Sequence, residues 1–243
     1  TTASQKSHLT KASNKQVSSK QEYSRNSAKS SSLPDLRKYP SGTPRKKAFL
    51  RTVMPYITSQ NAAITAERNW LISKQYQGQW SPAERARLKD IAKRYKVKWS
   101  GNTRKIPWNT LLERVDIIPT SMVATMAAAE SGWGTSKLAR NNNNLFGMKC
   151  MKGRCTNAPG KVKGYSQFSS VKESVSAYVT NLNTHPAYSS FRKSRAQLRK
   201  ADQEVTATAM IHKLKGYSTK GKSYNNYLFA MYQDNQRLIA AHM

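Results

Sequence analysis

Acidic residues are scarce in this chain: 12 Asp and Glu stand against 42 Lys and Arg, giving a net charge of +30 over 243 residues. Such an imbalance implies a polyanionic partner or surface, and nucleic acid, anionic lipid and bacterial cell-wall polymers all qualify. Apolar runs are also missing. No stretch reaches the roughly 18 residues that a membrane-spanning helix needs, so no membrane span is expected. Cysteine is nearly absent, with only Cys150 and Cys155, and the four His are scattered at positions 8, 185, 212 and 242. That set has no zinc-ligand spacing, and neither a metal nor an organic cofactor is expected. The hydrophobic fraction, 37%, is low for a chain folded along its whole length.

The shortage of apolar residues is concentrated at the N-terminus. Residues 1–44 are rich in Ser, Lys, Gln and Asn and are expected to form a disordered basic arm, either a tether to an anionic wall or a solvated linker. The opening Thr1-Thr2-Ala3 lacks Met, as in a mature exported chain or one trimmed in another way. Order is expected from near Arg45. Phe49, Val53 and Ile57 recur at helical spacing with Pro55 as a kink, and Ile64, Trp70 and Leu71 continue a second helical stretch that Gly78 breaks. Ser81-Pro82-Ala83-Glu84 reads as a capping box with proline at the first helical position. A short helix is expected over residues 108–115.

Pro119-Thr120-Ser121 opens a central helix on which Val123, Met126, Ala127 and Glu130 share a face, and Gly132 and Gly134 end it. Residues 144–168 alternate in polarity and carry glycine, the pattern of a β-hairpin or small sheet. Helices are expected again over 170–183, 195–200, 203–215 and 224–241. The fold class is therefore mainly α (α+β). Cys150 and Cys155 flank the turn residues Lys152-Gly153. A disulfide there would contribute about 2 kcal/mol by constraining the unfolded chain and would point to an oxidising compartment; two reduced thiols are the alternative.

Glu130 is the anomalous residue. An ionised carboxylate on an apolar helix face is costly to bury, and the negative end of the helix dipole is close by. Both favour the protonated form that a general acid needs. A structural glutamate paired with one of the many arginines fits the periodicity equally well.

The local sequence separates these two readings. Glu130-Ser131-Gly132-Trp133-Gly134-Thr135-Ser136, followed by Asn143-Asn144-Leu145-Phe146-Gly147-Met148-Lys149, resembles the signature of family 73 glycoside hydrolases, bacterial N-acetylglucosaminidases that cut peptidoglycan. Over residues 45–243, including an N-terminal helical region at 45–118, the chain is most similar to the Bax-type members. Ala66-Glu67-Arg68, Val115-Asp116-Ile117 and Thr184-His185-Pro186-Ala187-Tyr188 extend the likeness.

The resemblance implies a lysozyme-like helical domain with a small β-hairpin at the active-site cleft. It implies Glu130 as the catalytic acid, a sugar cleft lined by the segment from Asn144 to Gly147, and a second catalytic position at Tyr217. Substrate-binding roles are implied for Asn144, Phe146, Trp133 and Tyr224. Most of these have a plainer alternative. Trp133 and Phe146 can stack on sugar faces or simply fill the core. Asn144 can serve an acetamido group or a left-handed turn. Tyr217 follows Gly216, a helix stop, and can be a packing aromatic. The implied partners are peptidoglycan strands and anionic wall polymers, in the periplasm or outside the cell.

One departure from the family pattern bears on mechanism. Glycosidases ordinarily use two carboxylates, yet no Asp or Glu lies between Glu130 and Glu173. Glu173 reads as part of a capping box, Asp202 and Glu204 as first-turn helix acids, and Asp116 as distant in sequence. Three mechanisms fit: assistance by the substrate's 2-acetamido group, a lytic transglycosylase using Glu130 alone, or a remote acid such as Asp234 or Glu173 brought in by the fold. A non-catalytic basic protein binding wall or nucleic acid is the rival class, although no nucleic-acid-binding motif is present.

Overall fold

A computed structural model of the protein describes residues 33–214 and 221–243. Its longest element, α1 (Thr43–Lys74), places Phe49, Val53, Ile57, Ile64 and Leu71 in the core. The two helical stretches expected here are one helix that runs through Pro55. That proline is exposed, so its ring and missing donor fall on the solvent side, where water can satisfy the freed carbonyl. Packing also starts earlier than the expected boundary near Arg45. Leu36 lies in a short 3-10 turn, Leu36–Lys38, and is fully buried. Arg45 donates from Nε to the Leu36 carbonyl at 3.0 Å and holds the turn against α1.

Helix α2 (Pro82–Arg94) opens with the expected capping box, Glu84 N–H to Ser81 Oγ at 3.1 Å and Ser81 N–H to Glu84 Oε1 at 3.0 Å. After α3 (Trp108–Arg114) comes the central helix α4 (Thr120–Ser131), which packs against α1 on one side and against α9 (Lys222–Ala240) on another. Helix α4 is not amphipathic. Met122 to Ala128 are buried without interruption, Ala129 and Glu130 are half-buried, and Ser131 is buried again. Glu130 is thus set apart by its place along the axis, where sequence periodicity suggests an apolar face.

The chain continues through α5 (Lys137–Asn142), α6 (Val171–Thr184), α7 (Ser189–Lys200) and the short α8 (Ala207–Met210). Of the helix expected over 203–215, the described residues up to 214 form only this short turn with a 3-10 extension at Ile211–Lys213.

The mainly helical expectation fits, but the β-hairpin is not there. Among the described residues, Lys149 and Tyr165 form only an isolated antiparallel bridge, closed by Cys150 N–H to the Gly164 carbonyl at 3.2 Å and Ser166 N–H to the Met148 carbonyl at 3.0 Å. The ladder stops for two reasons. Cys150 and Cys155 are joined as a disulfide, which turns the chain back on itself. Across from them, Val162 gives its N–H to Asn142 Oδ1 at 2.8 Å and accepts from Asn142 Nδ2 at 3.1 Å, so a side-chain amide replaces the partner strand. Gly153, Gly160 and Gly164, all at positive φ, complete an irregular loop. No helix among the described residues is long and apolar enough to cross a membrane.

The approach to α4 is fixed by a buried ionic hub. Asp116, 1% exposed, accepts from Arg199 Nε at 2.9 Å and Nη2 at 2.7 Å, and from the Ile117 N–H at 2.8 Å. Arg68 lies 3.5 Å from the same carboxylate. Arg195, with no exposed surface, donates to the carbonyls of Glu113 and Ile117 and to Asn183 Oδ1 at 2.7 Å. Burial alone would raise the Asp116 pKa, but the Arg199 hydrogen bonds and the charges of Arg195 and Arg68 outweigh it and hold the group below its usual 3.8. Burial pushes Arg195 down to about 10.

Removing one partner from a buried ion network leaves uncompensated charge, so D116N is expected to cost about 3–5 kcal/mol in urea unfolding at neutral pH. Because the native pKa of Asp116 is depressed, its stabilisation is complete above the ordinary Asp value and is lost as pH falls from there through the lower native pKa. Wild type should therefore lose more stability than D116N between neutral pH and about pH 3; equal losses would contradict this assignment.

Candidate active site

The end of α4 determines where Glu130 points. Gly132 is a left-handed C-cap, and Trp133 and Gly134 follow it with positive φ, so three consecutive residues lie in that region. Trp133 at φ 56° carries a side chain where L-residues are disfavoured, at a cost on the order of 1 kcal/mol. Surrounding contacts hold it there. Its ring meets Phe49 edge-on at 5.6 Å, and the Lys46 ammonium lies 5.0 Å above it. Gly134 is required by crowding, since a Cβ there would collide with Leu36 Cδ1 and sit 3.2 Å from Phe49. Ser131 closes the turn, donating to the Ala127 carbonyl at 2.5 Å and accepting from the Gly134 N–H at 2.9 Å.

Glu130 emerges from this turn half-buried. Its Oε1 accepts a hydrogen bond from the Tyr224 hydroxyl, on the first turn of α9. Its Oε2 faces Gly147: a Cβ at that glycine would lie 3.1 Å from Oε2. Gly147 adopts φ 66°, so both conformation and space call for glycine. Among the described residues no Lys or Arg pairs with Glu130, so the arginine-bound structural role is not observed there.

The Asn144–Gly147 segment is built as a rigid wall. Asn144, 1% exposed, donates to the carbonyls of Met148 at 2.8 Å and Ser166 at 3.0 Å, while its Oδ1 accepts from the Met148 N–H at 3.0 Å. Its amide is thus engaged in holding the loop that carries Gly147. The left-handed position in the asparagine run belongs to Asn143, the C-cap of α5 at φ 50°. Phe146 is 2% exposed and stacks on Tyr178 with ring centroids 4.1 Å apart, so its ring face is directed into the core. The structure brings Glu130, Tyr224 and the Phe146–Gly147 wall together, and sets Trp133 behind Glu130 against α1. Tyr217 lies outside the described residues.

Of the acids considered as a second carboxylate, Glu173 and Asp116 are engaged elsewhere and the rest are exposed. Glu173 forms an ion pair with Arg154 and accepts from the Ser169 N–H at 2.7 Å, near the start of α6. The hydrogen bonds from Ser169 hold its pKa below the ordinary Glu value, and Arg154 adds to this. Asp116 belongs to the buried hub. Asp202, Glu204 and Asp234 are exposed, and Asp234 lies ten residues beyond Tyr224 on α9, roughly 15 Å along the axis. Among the described residues no group of three His, Cys, Asp or Glu could hold a metal.

The contacts of Lys46 with Trp133 and of Leu36 with Gly134 were not legible in the sequence. Gly147 stands within the Phe-Gly motif, but its proximity to the Glu130 carboxylate depends on a contact between separate elements.

Residues 107–237 match the glucosaminidase family, described as mannosyl-glycoprotein endo-beta-N-acetylglucosaminidase. The chain belongs to this family of glycoside hydrolases. The match covers more than half of the chain, from the start of α3 to within α9, and leaves α1, α2 and the Leu36 turn outside it. No solved structure matches the chain.

Two glycine substitutions separate backbone strain from crowding of the carboxylate. Gly153 has φ 78° and open space where a Cβ would stand, whereas Gly147 has the Glu130 carboxylate there. G147A and G153A should each lose about 1 kcal/mol of stability, while only G147A should lose turnover, by roughly tenfold or more. Equal activity of the two variants would show that the Gly147 gap has no part in the chemistry.

Proposed function

We propose that this glucosaminidase hydrolyses peptidoglycan at the β-1,4 bond after N-acetylglucosamine, with Glu130 as general acid. The observation that carries this reading is the pairing of Glu130 Oε1 with the Tyr224 hydroxyl. With Oε1 accepting that hydrogen bond, the reading assigns the transferable proton to Oε2, the oxygen that faces Gly147, where the absence of a side chain leaves room that a Cβ would take. A glycosidic oxygen approaching along the Phe146–Gly147 wall would meet that proton.

No Asp or Glu follows Glu130 before Glu173, and Glu173 and Asp116 are each engaged by arginine, which favours substrate assistance. The 2-acetamido oxygen attacks the anomeric carbon as Glu130 protonates the departing oxygen, and the glycosidic bond breaks to leave an oxazolinium ring. Glu130, now ionised, takes a proton from water, whose oxygen opens the ring at the anomeric carbon with net retention. Removing the proton donor should therefore abolish turnover while leaving the wall-binding surface intact.

The basic surface supplies long-range attraction to an anionic wall. Lys47, Arg51, Arg85, Lys89, Lys93 and Lys193 are exposed. Arg192 and Arg195 are buried and contribute to the fold instead. An extracytoplasmic location follows from such a substrate, and the Cys150–Cys155 disulfide is compatible with it.

E130Q is expected to lose wall lysis by about a thousandfold or more while still pelleting with purified peptidoglycan; unchanged lysis would remove Glu130 from the mechanism. Mass spectrometry of wild-type digests should show reducing-end N-acetylglucosamine, and 1,6-anhydro-muramic products would mean a transglycosylase instead. Raising salt from about 0.05 to 0.5 M should weaken wall binding, because exposed charges are screened within a few ångströms at high ionic strength. Binding indifferent to salt would contradict the electrostatic part of the proposal.

A further inference from the structure

Two contacts converge on one lysine outside the family match. Lys46, in the first turns of α1, donates from Nζ to Asn235 Oδ1 at 2.9 Å. The same ammonium lies 5.0 Å above the Trp133 ring. Asn235, 7% exposed, is held in turn by its own Nδ2 donating to the Met231 carbonyl at 2.8 Å. Asn235 is on α9, the helix that delivers Tyr224, and Trp133 stands three residues after Glu130 in the left-handed run that ends α4. One cation therefore joins the helix supplying the hydroxyl to the turn that aims the carboxylate.

We propose that Lys46 is a positioning residue of the active site, a strut that sets the register of Glu130 against Tyr224. The proposal rests on Glu130 being the acid. The Trp133 conformation needs support, since an L-residue at φ 56° relaxes when its contacts are removed. A cation over an indole face is an attractive contact of the required kind. Its other end is a buried amide oxygen, so displacing Lys46 loosens α4 and α9 together. Phe49 and Leu36 press on the same turn from the protein side, against Trp133 and Gly134 respectively. The glucosaminidase-matching span thus takes part of its active-site geometry from α1 and the segment before it.

The rival role for Lys46 is one more positive charge attracting an anionic wall. The two roles differ in which kinetic quantity changes: an attracting charge alters the wall concentration giving half-maximal rate, whereas a strut alters the maximal rate.

The experiment measures initial rates of reducing-end release over a range of purified peptidoglycan concentrations, using the full chain. K46M keeps the aliphatic stem and removes the charge and the donor; its maximal rate is expected to fall about tenfold, with half-saturation changed by less than about twofold. K46R, which can still lie over the ring and donate, should recover to within about threefold of wild type. N235A removes the acceptor together with the Nδ2 bond to the Met231 carbonyl and should lower the maximal rate severalfold, and K46M/N235A should fall no further in maximal rate than K46M, because Asn235 reaches the site through Lys46. A folded K46M with wild-type maximal rate, a change confined to half-saturation, or additive losses in the double variant would each overturn the proposal. Should K46M fail to fold, N235A at the wild-type rate overturns it. E130Q is run in parallel: an active E130Q defeats the acid assignment itself, while an inactive E130Q beside a fully active K46M defeats the strut alone.

Discussion

The structure depends on how α4 ends. The helix is surrounded by apolar side chains up to Ala128 and cannot slide or turn without disturbing the core. At Gly132 the backbone turns left-handed and stays so through Gly134. Glu130 falls in the last turn before that change, half-buried beside the fully buried Ser131. A carboxyl in such a place has few degrees of freedom. Tyr224 takes one oxygen and the Gly147 wall borders the other. The chemistry proposed for Glu130 follows from this confinement more than from any single neighbour.

Both ends of α4 are held by residues distant in sequence. At the N-terminal end, Asn61 of α1 donates to the Ile118 carbonyl at 2.7 Å and to Thr120 Oγ1 at 3.1 Å, and the Asp116 hub fixes the loop just before. At the C-terminal end, Leu36, Phe49 and Lys46 close on Gly134 and Trp133. Charge is used in two ways. Exposed lysines and arginines give the surface its reach toward an anionic partner, while Arg68, Arg192 and Arg195 serve as multi-donor clamps on backbone carbonyls that no apolar side chain could satisfy. Arginine suits this internal role because its planar fork reaches several acceptors at once.

Much of this was legible in the sequence because the determinants are local. The capping box at Ser81, the proline opening of α4, its glycine stop and the periodicity of α1 depend on residues within a few positions of one another. The motif residues around Glu130, on which the proposed site rests, are local in the same way. What was not legible depends on contacts between elements. The alternation of residues 144–168 suggests a hairpin, but Asn142 and Ser166 take up backbone groups that a ladder would use, and nothing local signals that. Phe146 and Asn144 sit inside the motif, and whether they face ligand or core is decided by Tyr178, Met148 and Ser166. Glu130 reads as lying on an apolar face because periodicity cannot distinguish a helix buried on one side from one buried all round and exposed only at its tip.

The most direct test is a crystal structure of the inactive E130Q variant with a bound peptidoglycan fragment spanning the cleavage site. The expected result places the glycosidic oxygen after N-acetylglucosamine within about 3 Å of the side-chain terminus at position 130, on the Gly147 side and opposite Tyr224. A fragment bound with that oxygen on the Tyr224 side, or in a groove that does not include position 130, would contradict the assignment of Glu130 as the proton donor.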